Sequence, residues 1–155
     1  MPGDKTEQTL QTFDRVEKAL STFDRATGFN CAQSVFTAFS GDFGLDRETA
    51  LKLSCGLGGG MGRCGQACGA VSGAVMALGL KYGKYLQDDN ESKERTYSTV
   101  QEFIKQFTER NKTVNCNELV GLDIRTADKQ LVKETCANVC PGFVKDAVEI
   151  AGSLL

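Results

Sequence analysis

Apolar residues Leu10, Phe13, Val16, Leu20 and Phe23 recur at steps of three or four, which predicts an amphipathic helix over about Thr6 to Ala26, ended by Gly28. Asn30 is placed to cap a second helix carrying Cys31, Val35, Phe36 and Phe39, stopping near Ser40 and Gly41. A shorter third helix is expected from Asp46 to Cys55. The next stretch, Gly56 to Gly65, is too rich in glycine for regular structure and reads as a loop. Beyond it, from about Gln66 to Tyr85, most faces are apolar or small, as expected of a buried central helix. Gly69, Ala70, Gly73, Ala74 and Ala77 would let its neighbours pack close.

Asp88, Asp89 and Asn90 mark a turn, after which Tyr97, Val100, Phe103, Ile104 and Phe107 define another amphipathic helix to about Asn111. Asn115 opens a short helical turn through Cys116, Glu118, Leu119 and Val120, ending at Gly121. A helix is expected over Ala127 to Val139, and Pro141 suits the first position of a separate final helix to Leu155. No useful alternation of period two occurs. The pattern predicts an all-α fold: one domain over 1–155, a compact bundle of about six to eight helices. Residues 1–28 form its N-terminal helix, and the glycine-rich loop precedes the buried central helix.

A chain of 155 residues suits one hydrophobic core. Its net charge of −2 and lack of a basic block give no sign of nucleic-acid binding. Met1 to Thr12 carries no apolar signal-peptide core, so a cytoplasmic location is expected. The longest uncharged run, Cys64 to Leu80, falls short of the roughly 20 apolar residues a spanning helix needs, so no membrane insertion is expected. With no histidine in the chain, mechanisms using imidazole as base or ligand drop out, and the acidic residues show no paired-carboxylate signature.

Chemistry therefore falls to seven cysteines, an odd number that does not suit a complete disulfide framework. Cys31, Cys68, Cys116 and Cys140 each stand at an expected helix start, where unpaired N–H groups and the helix dipole favour thiolate. If the fold brings those helix ends together, they could ligate an iron–sulfur cluster or, as the alternative, zinc. Gly58, Gly59, Gly60 and Gly69 would let backbone approach such a group. Cys64 and Cys136 lie four residues from Cys68 and Cys140 and could serve as auxiliary ligands or resolving thiols. Helical neighbours at that spacing are about 5–6 Å apart at Cβ, too far for a disulfide. Without metal, Cys68 would be the attacking thiol of a thiol–disulfide oxidoreductase or redox sensor. A third reading is an interaction module with inert cysteines, and Cys55, beside Leu51 and Leu53, fits a small buried hydrophobe. The glycine-rich loop with Arg63 could also cradle a phosphate, but it lacks both GxxxxGK[ST] and a preceding strand.

Cys68-Gly69-Ala70-Val71-Ser72-Gly73, with Asn30-Cys31-Ala32-Gln33 before it and Cys116-Asn117-Glu118-Leu119 and Cys140-Pro141-Gly142-Phe143 after it, resembles the C_GCAxxG_C_C family. That family is named for a cysteine, a central cysteine-glycine-alanine-x-x-glycine motif and two later cysteines. The resemblance covers about residues 29–148 and implies redox activity, with Cys31, Cys68, Cys116 and Cys140 as the family cysteines. A similar module occurs in split-Soret cytochromes, where an iron–sulfur centre accompanies haem. This chain has no CxxCH and no histidine, so haem attachment does not carry over. The redox partner is not specified, and a homo-oligomer sharing a cluster between chains is compatible with the pattern.

Overall fold

A computed structural model describes residues 5–24 and 26–155. Among them stand seven right-handed α-helices: α1 (Lys5–Thr22), α2 (Cys31–Ser40), α3 (Arg47–Cys55), α4 (Gly69–Tyr82), α5 (Asn90–Asn111), α6 (Cys116–Val120) and α7 (Lys129–Leu154). A 3-10 turn, Gly41–Phe43, joins α2 to α3, and the described residues contain no strand. The chain is all-α, and no described helix is long and apolar enough to cross a membrane.

Side-chain caps set most helix starts. Asn30 closes a capping box with Gln33, Asp46 accepts from the Thr49 amide, Asp89 from Ser92, Asn115 from Glu118 and Asp128 from Leu131. Helix α1 ends earlier than the apolar spacing predicts, because the Asp24 carboxylate accepts from the Ala26 amide at 2.7 Å and the Thr27 hydroxyl donates to the Thr22 carbonyl at 2.6 Å. Those bonds turn the chain. Helix α4 likewise starts at Gly69, since Ala67 is held in an isolated antiparallel bridge with Asn115.

The largest departure is at Pro141. No new helix begins there: α7 runs unbroken from Lys129 to Leu154 with Pro141 inside it. Proline has no N–H to offer the Ala137 carbonyl one turn back, so the ladder lacks that bond. Packing outweighs the loss, because Cys140, Val144, Ala147, Val148, Ile150 and Ala151 on this helix are all buried. Cys140 is therefore a mid-helix residue, not a helix start.

Helices α2 and α4 cross closely: a Cβ at Gly73 would lie 2.7 Å from the Ala32 carbonyl oxygen. Around that pair, Phe36, Phe39, Leu78, Phe103 and Phe107 are fully buried. The Tyr82 hydroxyl donates to the Leu154 carbonyl at 2.7 Å and ties the end of α4 to the end of α7.

Candidate functional site

At the opposite end of α4 three helix starts meet one face of α7. Cys31 is the first residue of α2, Cys68 immediately precedes α4, and Cys116 is the first residue of α6. Two backbone bonds fix the last two relative to each other: the Cys68 amide donates to the Val114 carbonyl at 2.8 Å and the Cys116 amide to Gln66 at 2.6 Å. Asn30 anchors Cys31, its side-chain amide donating to the Cys55 carbonyl at 2.8 Å while its oxygen caps α2.

The glycine-rich stretch is not an open loop. Gly59, Gly60, Met61, Gly62 and Arg63 have φ of +65°, +66°, +71°, +58° and +64°, a left-handed turn of five consecutive residues. For Met61 and Arg63 this conformation costs on the order of 1–2 kcal/mol each. Close approach explains why glycine is needed: a Cβ on Gly60 would lie 2.6 Å from the Cys116 Cβ, and one on Gly58 would overlap the Asn30 side chain. A Cβ on Gly69 would come within 3.3 Å of the Cys31 Cβ. Of the glycines expected near a bound group, Gly59 and Gly69 line the cavity described next, whereas Gly58 and Gly60 brace the residues that do.

A partly open cavity measures about 760 Å³, and Cys31, Cys68, Cys116, Cys136 and Cys140 all line it. Cys68, Cys116 and Cys140 are buried, and Cys31 and Cys136 are half-buried. The thiol of Cys140 lies against those of Cys136 and Cys31. The four expected cysteines are thus brought together, and Cys136 joins them from one turn before Cys140. Cys64 does not line the cavity and is exposed. Cys55 is exposed too, as is Leu53 on the same helix, which overturns its reading as a buried hydrophobe.

Electrostatics reverse a second expectation. Burial pushes the Cys68 thiol up to about 11, although the Val71 and Ala70 amides act in the opposite direction without forming a cap hydrogen bond of ordinary geometry. Burial likewise pushes Cys116 up to about 11, with repulsion from Cys136 adding to it. Contact with Cys140 and then burial raise Cys136. At Cys140 the contact with Cys136 lowers the pKa, but contact with Cys31 and burial outweigh it and the net shift is upward. At Cys68 and Cys116 desolvation beats the helix-start effect, and with Cys136 and Cys140 also shifted upward these four thiols are protonated at neutral pH.

The spacing analysis missed the rest of the wall. Phe23, Leu119, Ile124, Val132 and Phe143 make it apolar, and Arg63, Arg125, Lys129 and Lys133 supply four cations. A signal for part of this was present: Lys129, Lys133, Cys136 and Cys140 step by four, three and four, one stripe of a continuous helix. Dividing that helix at Pro141 hid it.

A protein from Archaeoglobus fulgidus described as uncharacterized is 28% identical over 134 residues, covering 81% of this chain and 84% of that one. No solved structure matches the chain. Residues 29–154 match the family described as "Putative redox-active protein (C_GCAxxG_C_C)". With four thiols from separate elements around one cavity and this match spanning most of its length, the chain belongs to the C_GCAxxG_C_C family.

Proposed function

We propose that this protein is an electron-transfer protein whose Cys31, Cys68, Cys116 and Cys140 ligate an iron–sulfur cluster. The observation carrying the reading is the meeting of thiols from the starts of α2, α4 and α6 and from the middle of α7 in one partly open cavity. A donor set of sulfur alone, in a chain without histidine, suits iron–sulfur chemistry. Such a cluster would supply one-electron transfer.

A lone zinc ion on the same four thiols is the alternative. Zinc holds four sulfurs at about 2.3 Å. Among the described residues no group of three or more His, Cys, Asp or Glu side chains is drawn together tightly enough to hold one metal ion. The raised pKa disfavours a free attacking thiolate, whereas a bound metal would bring the positive charge that displaces the protons. With a pKa of about 11, Cys68 is ionised in only about one molecule in ten thousand at neutral pH, a poor attacking thiol. Metal uptake would release those protons, and buried apolar walls would keep water from the centre.

Anaerobic reconstitution with iron and sulfide tests this directly. Expected are bound iron, acid-labile sulfide and visible absorption, each lost in C31S, C68S, C116S and C140S. A folded, colourless, metal-free protein after reconstitution would rule the reading out. If Cys136 is only auxiliary, C136S retains the metal.

A further inference from the structure

The cations at the mouth of the thiol cavity have no role in ligating a metal. Arg63 comes from the left-handed turn, Arg125 from the segment after α6, and Lys129 and Lys133 from the first turns of α7. All four line the cavity and all four are exposed, whereas the cysteines beyond them are buried or half-buried. The cations form the outer rim and the sulfurs the inner wall. Among the described residues no carboxylate lines the cavity.

Nor are these cations engaged elsewhere. Arg15 is paired with Asp42, and Arg110 with Asp146 and Glu149, but no side-chain hydrogen bond, ion pair or ring contact joins Arg63, Arg125, Lys129 or Lys133 to a described residue. The nearby acids are committed to backbone: Asp123 accepts from the Arg125 amide at 3.0 Å and Asp128 from the Leu131 amide at 3.0 Å. Asp123 and Asp128 keep their charge beside Arg125 and Lys129 but do not line the cavity, so its lining carries four cations and, among the described residues, no anion. Between rim and sulfur the wall is apolar, with Phe23, Leu119, Ile124 and Phe143. A volume near 760 Å³ lies in the range of small-molecule pockets, about 300–1,000 Å³.

We propose that this cavity is a binding site for a small organic anion with an apolar body, such as an aromatic carboxylate, sulfonate or phosphate ester. Its charged group meets the rim cations, and its apolar body lies against the ring of phenylalanine, leucine and isoleucine toward the cysteines. The inference uses the cations and the apolar wall rather than the thiols; a cluster on the thiols would fill the inner part of the same cavity and leave the outer part to the anion.

Titration with 8-anilinonaphthalene-1-sulfonate, followed by fluorescence, is the test, run on reduced metal-free protein and on iron-reconstituted protein with iron measured in each sample. A single saturable site is expected. Lys129→Glu combined with Lys133→Glu should weaken it by about tenfold, the effect of 1.4 kcal/mol of lost attraction, while binding of neutral N-phenyl-1-naphthylamine stays unchanged. Lys81→Glu, at the far end of α4, should change neither. Circular dichroism checks the fold of each variant; if the double variant does not fold, Arg125→Glu carries the same expectation. No saturable site, equal loss for both dyes, or equal loss in Lys81→Glu overturns the proposal; no site at all would leave the rim to an acidic protein face. Dye binding without iron uptake would sink the cluster reading and leave this one standing.

Discussion

At Cys68 the amides of Val71 and Ala70 favour the thiolate and desolvation favours the thiol, and desolvation prevails by enough to move the pKa to about 11. The consequence for stability has a definite sign. A thiol whose pKa rises from about 9 in the unfolded chain to about 11 in the fold binds its proton more tightly when folded. Cys68 and Cys116 therefore contribute stability that is complete below pH 9 and is lost as pH rises through about 11. Urea unfolding of the reduced metal-free protein should show a falling midpoint over that window, and C68A with C116A should make the fall shallower, the rest coming from Cys136 and Cys140. The sequence pattern of expected helix starts, with the family resemblance, singled out Cys31, Cys68, Cys116 and Cys140, and all four line one cavity although Cys140 lies inside a helix. That pattern could not give their charge state, which depends on burial that spacing does not report. Cys55 misled for the same reason: Leu51 and Leu53 beside it do not reveal which side of a short helix faces the core.

The elements that carry these residues were legible where a local signal dictates them. Asn30, Asp46, Asp89 and Asn115 announce helix starts by their own side-chain chemistry, and each is found capping. Pro141 gave the wrong boundary because its preference for a helix start is local, whereas the buried face of α7 is tertiary. Restoring the missing N–H to the Ala137 carbonyl should help: Pro141→Ala is expected to stabilise the metal-free protein by roughly 1–3 kcal/mol in denaturant unfolding. The left-handed turn predicts the opposite. At Gly60 alanine would be strained by φ of +66° and would press on Cys116, so Gly60→Ala should cost roughly 2–4 kcal/mol and lower iron uptake. Alanine at Gly142, which meets nothing within 4 Å, is the control and should leave iron uptake unchanged. Glycine content alone announced a loop; that the loop would wind left-handed and brace Asn30 and Cys116 was not readable from it.

Across the whole molecule, the packed end of the bundle, where Tyr82 meets the last residues of α7, is separated from the end that holds the thiols. Helices α2, α4 and α6 bring their starts to that second end, and α7 closes it with a stripe of lysine and cysteine. Charge follows this division, since the rim cations lack partners while Arg15 and Arg110 elsewhere are paired. Exposed Cys55 and Cys64 stand outside the cavity, so C55S with C64S should leave metal content unchanged. Uptake of metal by the reduced protein should release about one proton per ligating thiol, measurable in weakly buffered solution. The most direct test of the central claim is iron and acid-labile sulfide per chain, with the absorption spectrum, in anaerobically reconstituted wild-type protein and in C31S, C68S, C116S and C140S. Bound iron and sulfide with visible absorption in the wild type, lost in each of the four variants, is the result expected. Folded wild-type protein without iron, or iron that survives all four substitutions, would contradict it.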